Sequence, residues 1–248
     1  MNIMNSNKKI KIIQPCRIGD IIICLPIAKA YYDNGYEVYW PVCAKYYNLF
    51  NYVDYVTPIK LCEDINKSTF EAKEVLPEIQ QLDLMINFGS TTIENQSEWE
   101  NSNYSFDEWK YFKAGVPFSE KTNLIINRNI NKENSLIKKF NINLDEPYIV
   151  RHYQGTWCKW TFDNQIKDSE FRIIDIEPIS DYNIFDWIGV IENCHHIYAV
   201  DSCIVNLVNG LKLCLNHRTF RPWWNIYDPK LGDKLIPKMS DNWEILLK

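Results

Sequence analysis

The sequence contains no apolar run long enough to cross a membrane. Its longest such run, Ile21–Ala28, is far short of the roughly 20 residues that a membrane-spanning helix requires. The N-terminal residues are mostly polar and lack the apolar segment of a secretory signal. We therefore expect a globular cytoplasmic protein without an integral membrane segment, and peripheral attachment to a membrane stays open.

Three glycine-containing motifs of common enzyme classes are also missing. The chain has no G-x-G-x-x-G, which argues against dinucleotide-dependent hydride transfer, and no G-x-x-x-x-G-K-[ST], which argues against P-loop phosphoryl transfer. It has no G-x-S-x-G nucleophile elbow, and its four histidines leave few candidates for Ser-His catalysis. Dehydrogenase, P-loop and serine hydrolase functions are therefore disfavoured.

The charge balance is slightly acidic. The 248 residues include 27 Lys and Arg against 32 Asp and Glu, a formal net charge of −5, and the pI is about 5.5. A binder of duplex DNA needs clustered cations to neutralise phosphates, so we expect no nucleic-acid partner. With 46% hydrophobic and 24% charged residues the chain can build a core. Its length is that of one large domain or two compact ones.

The eight cysteines show no C-x-x-C spacing, and several lie in apolar stretches. Without a secretory signal, a disulfide framework is not expected in a chain of this size. Cys194, His195 and His196, with Cys203 nearby, offer ligands of the type that zinc uses. Adjacent ligands alternate faces on a strand, however, and no second half-site is present. We favour buried cysteines and histidines over a zinc site, and predict neither a metal nor a cofactor.

The hydrophobic periodicity predicts strands and helices that alternate along the chain. Strands are expected at residues 9–15, 37–42, 55–59, 82–88, 123–127, 147–152, 171–176, 196–200 and 212–215. Helices are expected at residues 20–34, 44–51, 70–81, 106–114, 132–140, 184–193 and 202–210, with a final helical turn at 243–248. Residues 89–103 are polar and are predicted to form a loop. Because an interior proline disrupts a helix, Pro26 predicts either a loose first turn or a regular helix that starts nearer Leu25.

Strands that alternate with short helices are typical of parallel sheets covered by helices on both faces. The alternation occurs twice and restarts near residues 116–122. We therefore predict an α/β fold with two Rossmann-like domains facing across a cleft, in a compact version. The predicted domains are residues 1–118 and 119–248.

Two aspartates directly follow predicted strands at the starts of predicted helices. Asp20 follows the first strand, and Asp201 with Ser202 follows the strand at 196–200. Ligands of parallel α/β sheets bind at the carboxyl ends of strands. Asp20 is thus placed to act as a general base that takes a proton from a hydroxyl. The Asp201-Ser202 turn is placed to hold a diphosphate, which would bind to the backbone amides at the start of the helix. Aspartate is also a preferred helix cap, and the sequence leaves both interpretations open.

A third segment of interest begins at the predicted strand end after residue 150. The run RHYQGTWCKW, residues 151–160, brings a lysine and two indoles into a loop. Lys159 is able to neutralise the charge of a leaving phosphate in place of a metal ion. Trp157 and Trp160 are able to stack on a base or a sugar ring. A surface lysine and core tryptophans are the simpler interpretation of each residue taken alone.

Together these segments resemble glycosyltransferase family 9, the heptosyltransferase-like enzymes. The run RIGDIIICLPI at residues 17–27 is similar to the family's N-terminal GD…LP motif, which also accounts for Pro26. The run IENCHHIYAVDS at residues 191–202 resembles the family's C-terminal helix, strand and Asp-Ser/Thr-Gly. The Lys159-Trp160 pair resembles its K-x-W or K-W site. The resemblance covers both predicted domains in order.

The resemblance implies the GT-B fold and an inverting, metal-independent transfer of a hexose or heptose from a nucleotide diphosphate to an acceptor hydroxyl. It makes the N-terminal domain the acceptor side, with Asp20 as the base, and the C-terminal domain the nucleotide-sugar side, with Lys159 stabilising the departing diphosphate. The implied partners are a nucleotide-sugar donor and a glycan or lipid-linked acceptor, as in the synthesis of surface glycans or lipopolysaccharide. The implied donor contacts are Asp201, Ser202, Cys203, Asn206 and Trp160, and the candidate contacts to the acceptor or a phosphate are Arg17, Gly19 and Arg151.

Two positions depart from the family pattern. Where the family has Gly and, three positions later, His, this chain has Cys203 and Asn206. Cys203 adds a side chain where a phosphate approaches the backbone, and Asn206 removes a histidine donor. Two alternatives stay open: a GT-B module that binds nucleotide or glycan without turnover, and a nucleotide-sugar epimerase on the same fold. The departures favour the module, whereas Asp20 together with Lys159 favours the transferase.

Overall fold

The computed structural model describes residues 8–86, 93–155, 158–167, 169–214, 216–222, 231–240 and 242–246. The chain divides into two compact units, residues 1–127 and 128–248. None of the helices in the described ranges combines the length and the apolar character that crossing a membrane requires.

The N-terminal unit is built on a parallel sheet. Its strands are β1 (Lys8–Ile13), β2 (Tyr36–Val42), β3 (Thr57–Lys60) and β4 (Gln80–Asp83). Its helices are α1 (Ile18–Asp33), α2 (Ile65–Glu74), α3 (Ile93–Glu100) and α4 (Phe106–Ala114), with 3-10 helices at Ala44–Tyr52 and Phe118–Thr122. The strand order is β3-β2-β1-β4 and every pairing is parallel. The central strand β1 buries Ile10 and Ile12 completely.

The C-terminal unit repeats this design. Its strands are β5 (Tyr148–His152), β6 (Arg172–Asp175), β7 (His196–Val200), β8 (His217–Arg221) and β9 (Trp243–Ile245). Its helices are α5 (Ile130–Lys139), α6 (Asp163–Ile166), α7 (Ile188–Glu192) and α8 (Cys203–Leu211), with 3-10 helices at Ile184–Trp187 and Gly232–Leu235. The strand order is β6-β5-β7-β8-β9, again with parallel pairs throughout. Val150, Ile197 and Leu207 form part of its fully buried core.

The predicted α/β fold with two parallel sheets is confirmed, and α4 and β7 have the predicted bounds. The two units divide after Asn127, whereas the sequence placed the boundary after residue 118. Two hydrogen bonds attach the intervening residues to the N-terminal unit. The Tyr55 hydroxyl donates to the Ile125 carbonyl at 2.9 Å, and the Asn127 N–H donates to the Tyr52 carbonyl at 2.7 Å. Residues 123–127, predicted as a strand, are irregular for this reason and pair with no sheet.

The first helix begins well before Leu25, which was one of the two alternatives that Pro26 suggested. α1 starts at Ile18 and continues through Pro26 to Asp33. All residues from Ile21 to Ala28 are buried. An interior proline costs about 3 kcal/mol, and the burial of so many apolar side chains, at about 1.5–3 kcal/mol for each large one, outweighs it.

The positions predicted for the second helix and the fourth strand of the N-terminal unit are wrong. α2 covers residues 65–74 instead of 70–81, because the Asp64 side chain caps it by accepting from the N–H groups of Asn66 and Lys67 at 2.9 Å. The buried Lys11 ammonium donates to the carbonyls of Lys73 and Val75 where this helix ends. β4 is accordingly shifted to residues 80–83; residues 87–88 of the predicted strand lie outside the described residues.

The loop predicted at residues 89–103 contains a helix. α3 occupies residues 93–100, and residues 89–92 lie outside the described residues. Trp99 is completely buried and Asn95 is nearly so. The segment has too few apolar residues to show a helical periodicity. Trp99 and Asn95 are buried by tertiary packing, which the pattern of a single sequence does not reveal.

At the C-terminal end the predicted strand at 212–215 is displaced. α8 is terminated by Lys212, with a left-handed φ of 55°, and Cys214 has a φ of 49°. An extended strand does not accommodate these angles, so β8 starts only at His217. Residue 215 lies outside the described residues. The predicted terminal helical turn is wrong, because residues 243–245 form β9 beside β8; residues 247–248 are also outside the described residues.

Helix α4 has well-defined capping signals at both ends. The Ser105 side chain accepts from the Glu108 N–H, and the Glu108 carboxylate accepts from the Ser105 N–H at 3.0 Å, which is a capping box. Gly115 ends the helix with a left-handed φ of 63°. These local signals explain why the bounds of α4 are predictable from sequence.

We predict that Ser105→Ala lowers the free energy of unfolding by about 1 kcal/mol, because the helix loses its N-cap. Chemical denaturation of the variant and the wild type measures the difference. Ser119→Ala is the control, because Ser119 is exposed and caps no helix, and we expect it to change stability by less than about 0.5 kcal/mol. Equal stability of Ser105→Ala and the wild type would contradict the assignment.

Candidate functional site

Asp20 lies in the first turn of α1, beyond the carboxyl end of β1. The N-cap of this helix is Arg17, which has a left-handed φ of 67°, and no side chain forms a capping hydrogen bond. Asp20 is therefore not the cap of α1, which was one of its two interpretations. Arg17 and Gly19, the candidate acceptor contacts, are partly exposed beside it.

The Asp20 carboxylate pairs with a lysine that the sequence did not single out. Oδ1 of Asp20 lies 3.1 Å from Nζ of Lys110, which α4 supplies. The Lys110 side chain is completely buried, whereas 19% of the Asp20 side chain is exposed. Lys110 Nζ also donates to Oε1 of Gln14 and to the carbonyl of Leu84, both at 2.7 Å. Because Gln14 and Leu84 directly follow β1 and β4, the ammonium joins Asp20 to the ends of two neighbouring strands.

In the C-terminal unit, Lys159 lies in a short hairpin after β5. Gln154 and Lys159 form an antiparallel bridge, and the Gly155 N–H donates to the Cys158 carbonyl at 2.8 Å. The Lys159 side chain is exposed. Trp157, a candidate stacking residue, lies outside the described residues.

This hairpin packs directly on the turn that follows β7. A Cβ atom on Gly155 would lie only 2.6 Å from the backbone oxygen of Asp201 and 3.1 Å from Sγ of Cys158. The Cys158 thiol donates to the same Asp201 oxygen at 3.7 Å. A residue larger than glycine at position 155 would therefore push the Lys159 hairpin away from Asp201.

The Asp201-Ser202 turn also contacts the end of β5. Ser202 is the N-cap of α8, but its side chain forms no capping hydrogen bond. Its Oγ lies 2.9 Å from Nδ1 of His152, the last residue of β5. The Ser202 side chain therefore does not cap the helix, and the capping interpretation is not supported for Ser202. The carboxyl ends of β5 and β7 and the Lys159 hairpin form one contiguous site.

Two cations of this site lie over aromatic rings. Nζ of Lys159 is 5.6 Å from the centroid of Tyr153, and Cζ of Arg221 is 4.5 Å from the centroid of Trp160. Arg221 ends β8, and its carbonyl accepts from the Asp201 N–H at 3.0 Å. Arg221 is 9% exposed and Trp160 is 37% exposed. Among the residues that the structure describes, no carboxylate forms an ion pair with Arg221 or Lys159, so the site is suited to an anionic ligand.

Arg151, a candidate phosphate contact, is bound elsewhere. Its Nε and NH2 groups donate to both carboxylate oxygens of Asp175 at 2.6 and 2.9 Å, and NH1 donates to the Thr161 carbonyl at 2.9 Å. A bidentate pair of this kind fixes the guanidinium. A contact between Arg151 and a ligand would require these bonds to rearrange.

The two positions that depart from the family pattern lie in the first turns of α8. Cys203 is partly exposed, and burial of its sulfur raises the pKa of the thiol to about 11. Asn206 is 7% exposed, and its Oδ1 atom has no hydrogen-bond partner in the described part of the chain. Buried side-chain oxygens are usually partnered, so this amide is available to a donor group of a ligand.

The cysteine and histidine cluster considered for zinc is arranged differently. Within the described ranges no group of three His, Cys, Asp or Glu side chains is placed to hold a metal ion. Sγ of Cys194 lies 3.2 Å from Sγ of Cys214, and Nε2 of His196 lies 2.8 Å from Oγ1 of Thr219. All eight cysteines are free thiols.

No family model and no curated protein matches the chain. Solved structures do match it. A glycosyltransferase family 9 protein from Veillonella parvula has a TM-score of 0.63 at 10% identity, covering 96% of this chain and 85% of its own. The Escherichia coli ADP-heptose LPS heptosyltransferase II has a TM-score of 0.52 at 11% identity, covering 96% and 90%. The E. coli heptosyltransferase WaaC with ADP has a TM-score of 0.55 at 11% identity, covering 96% and 92%.

The chain has the fold of the family 9 glycosyltransferases. The fold implied by the short motifs is thereby confirmed. Identities of this size show the fold alone, so the chemistry has to be argued from the sites of this chain.

Three residues of these sites escaped prediction. Lys110 lies in a charged helix, FDEWKYFKA, where a lysine is normally exposed. Arg221 is the last residue of β8, a strand that the sequence placed too early, so its position at a strand end was hidden. His152 was visible as a strand-end residue in the RHYQGTWCKW run, and its place at a carboxyl end was the available signal.

The partly buried His152 generates a pH prediction. Burial lowers the pKa of His152 to about 4, and burial lowers the pKa of His196 to about 4 as well, with smaller contributions from His217 and His195. An unfolded histidine has a pKa of about 6.5. Between pH 6.5 and 4 the unfolded chain therefore binds protons that the native chain does not, and the free energy of unfolding falls as the pH is lowered.

We predict that His152→Asn reduces the loss of stability at low pH, because asparagine still reaches Ser202 but does not titrate. Denaturant titrations at several pH values between 4 and 7 measure how steeply the free energy of unfolding depends on pH. Part of this dependence should persist in the variant because His196 still titrates. Asn134→Ala, at an exposed and uncharged position of α5, should leave the slope unchanged. Parallel curves for the wild type and His152→Asn would contradict the prediction.

Proposed function

We propose that this protein is an inverting, metal-independent glycosyltransferase that moves a sugar from a nucleotide diphosphate donor to an acceptor hydroxyl. The observation that carries the proposal is the packing of the Lys159 hairpin on the Asp201-Ser202 turn. This contact joins a cation to the start of α8 at the carboxyl edge of a parallel sheet, where nucleotides bind in such folds. Solved structures of the same fold are described as glycosyltransferases, one of them with ADP, which supports a nucleotide donor.

In this proposal the donor binds to the C-terminal unit. Its diphosphate lies at the start of α8, near Ser202 and Cys203, where helix amides and the helix dipole favour an anion. Lys159 and Arg221 supply positive charge, and because the described residues give neither of them a carboxylate partner, that charge is available to phosphate. The exposed face of Trp160 stacks on the base or the sugar, and the buried amide of Asn206 accepts a hydrogen bond from the donor.

The acceptor side belongs to the N-terminal unit. Asp20 takes the proton of the acceptor hydroxyl while the hydroxyl oxygen attacks the anomeric carbon. The new glycosidic bond forms on the face opposite the leaving group, so the bond from the anomeric carbon to the diphosphate breaks with inversion. The diphosphate leaves with the bonding electrons, and Lys159 neutralises its additional charge in place of a metal ion.

We propose a glycan or lipid-linked acceptor whose free hydroxyl receives a hexose or heptose, as in the synthesis of surface glycans. Arg17 and Gly19, which are partly exposed at the start of α1 beside Asp20, are the proposed acceptor contacts. Such an enzyme works in the cytoplasm, where nucleotide sugars are made, and is able to act at the membrane surface.

A second candidate function is a module that binds nucleotide or glycan without turnover. Two observations favour it: Oδ1 of Asp20 is bound in an ion pair with Lys110, and Cys203 and Asn206 replace the residues of the family motif. Asp20 nevertheless keeps part of its side chain exposed, so a hydroxyl is able to reach the carboxylate.

A thermal-shift panel tests nucleotide binding. The panel contains ADP, GDP, UDP, CMP and their sugar conjugates, each with and without EDTA. A ligand that binds only the folded state stabilises it by about 2.7 kcal/mol at a hundredfold excess over its dissociation constant. We expect one nucleoside diphosphate to raise the melting temperature to the same extent with and without EDTA. Loss of the shift in EDTA would contradict metal independence, and no shift with any nucleotide would contradict the proposed donor.

We predict that two substitutions separate binding from chemistry. Asp20→Asn should lower the transfer rate by about 100-fold or more, because the general base is lost, while nucleotide affinity stays nearly constant. Lys159→Ala should weaken nucleoside diphosphate binding by about tenfold or more and also slow transfer. Calorimetry and a product assay measure the two quantities.

Lys138→Ala, which removes the same charge from an exposed position of α5, is the control for Lys159→Ala and should leave affinity unchanged. Undiminished turnover of Asp20→Asn would disprove the base assignment. Equal nucleotide affinity of Lys159→Ala and the wild type would show that Lys159 is a surface lysine.

A further inference from the structure

We propose that Lys110 is a positioning residue that fixes the Asp20 carboxylate for proton transfer. This inference rests on the proposed function, because it concerns the residue that acts as the base there. Its basis is the buried contact between Nζ of Lys110 and Oδ1 of Asp20 at 3.1 Å.

The Lys110 ammonium is completely removed from water. Burial of an unpaired ammonium is strongly unfavourable, and an ion pair compensates for it only when the geometry is good and the remaining protons are hydrogen-bonded. A well-packed apolar side chain at such a position is often as stabilising as the ion pair, or more so. Stability alone therefore gives little reason for a lysine at position 110.

The polar contacts of Lys110 all lie within the protein. Nζ donates hydrogen bonds to Oε1 of Gln14 and to the carbonyl of Leu84, and forms an ion pair with Oδ1 of Asp20. The side chain has no exposed surface from which to reach a substrate. Lys110 therefore acts through Asp20 and not on the reacting atoms.

The two hydrogen-bond acceptors of Lys110 are themselves held in place, which makes the ion pair with Asp20 rigid. The Leu84 carbonyl belongs to the backbone directly after β4, and Gln14 is held in turn by the bond from its Nε2 to the Cys16 carbonyl at 2.9 Å. The indole N–H of Trp40 in β2 donates to the Gln14 carbonyl at 2.9 Å. Contacts with residues in or directly after three adjacent strands, β1, β2 and β4, thus fix the position of Nζ of Lys110 independently of Asp20.

Asp20 needs such support from outside its own helix. The first turn of α1 has no side-chain cap and follows a residue with a left-handed φ. With Oδ1 held by Lys110, the rotation of the carboxylate is restricted, and the exposed part of the side chain faces the acceptor in one orientation. A misplacement of about 1 Å in a reacting group can lower the rate by about 100-fold.

The N-terminal unit contains a matched pair for comparison. Lys121 and Asp107 are also almost completely buried, and Nζ of Lys121 lies 2.5 Å from Oδ2 of Asp107. Nothing in the proposed reaction uses either residue. Lys121→Met and Lys110→Met therefore make the same chemical change in two buried ion pairs of one unit, only one of which holds the base.

The experiment compares turnover and stability of these two variants. Release of nucleoside diphosphate is measured with ADP-heptose, UDP-glucose and GDP-mannose in the presence of a glycolipid extract, below the melting temperatures of all proteins. With the donor that the wild type uses, we expect Lys110→Met to lower kcat by about 10- to 100-fold and to leave the donor KM within about twofold. Lys121→Met should lower the melting temperature but keep kcat within about twofold of the wild type.

A double-mutant cycle tests whether Lys110 acts through Asp20. Asp20→Glu retains a carboxylate on a longer arm that Lys110 no longer places correctly, so its residual activity is reduced. We expect Lys110→Met to change kcat by less than about threefold in that background. If Lys110→Met does not fold, Lys110→Gln, which keeps an N–H donor for Gln14 or Leu84, replaces it in both measurements.

Each outcome has a distinct meaning. If the wild type turns over none of the donors, the proposed function and this inference both fail. If the wild type is active but Lys110→Met keeps the wild-type kcat, the inference alone fails. It also fails if Lys121→Met loses kcat equally, or if the Lys110→Met loss is fully retained in the Asp20→Glu background, because Lys110 would then act independently of the carboxylate.

Discussion

Parallel strand pairing is the constraint on which both sites depend. Because all strands of a parallel sheet end at the same edge, residues far apart in the chain meet there without any local signal between them. In the N-terminal unit the ends of β1 and β4 meet at the Lys110 ammonium. In the C-terminal unit His152, Asp201 and Arg221 end or follow β5, β7 and β8, and these strands are adjacent in the sheet.

The two edges use positive charge in opposite ways. Lys110 forms two hydrogen bonds and one ion pair and has no contact with solvent, which is the arrangement expected of a group that holds another in place. Lys159 and Arg221 instead rest on the faces of Tyr153 and Trp160. Stacking on a ring partly compensates a cation for lost water without using its N–H donors. Arg221 uses its NH1 group to donate to the Leu246 carbonyl at 3.1 Å, and neither cation has a carboxylate partner among the described residues, so both keep positive charge that is able to attract an anion.

Local signals determined how far the sequence could predict this structure. The bounds of α4 were predictable because its start at Ser105 and its end at Gly115 are encoded within the helix itself. β7 was predictable because an apolar run is followed directly by Asp201-Ser202. Lys110 was not, because its partner Gln14 lies 96 positions away. The start of β8 was missed because backbone angles at Lys212 and Cys214, and not composition, exclude a strand there. Asp20 and Lys159 were singled out by their places after predicted strands and given their roles in a transferase by resemblance, whereas their contacts became known only from the fold.

The departure from the family motif at Cys203 has a limited structural effect. Cys203 is the first residue of α8, where the backbone is helical, so the position has no need of the left-handed conformations that favour glycine. The turn before it is maintained by the hydrogen bond between Ser202 and His152 and by the contact of Gly155 with Asp201. The additional side chain therefore occupies space near the helix start without altering the turn. A ligand kept further from the backbone by that side chain depends more on long cations for its charge, and Lys159 and Arg221 lie at this edge without a carboxylate partner among the described residues.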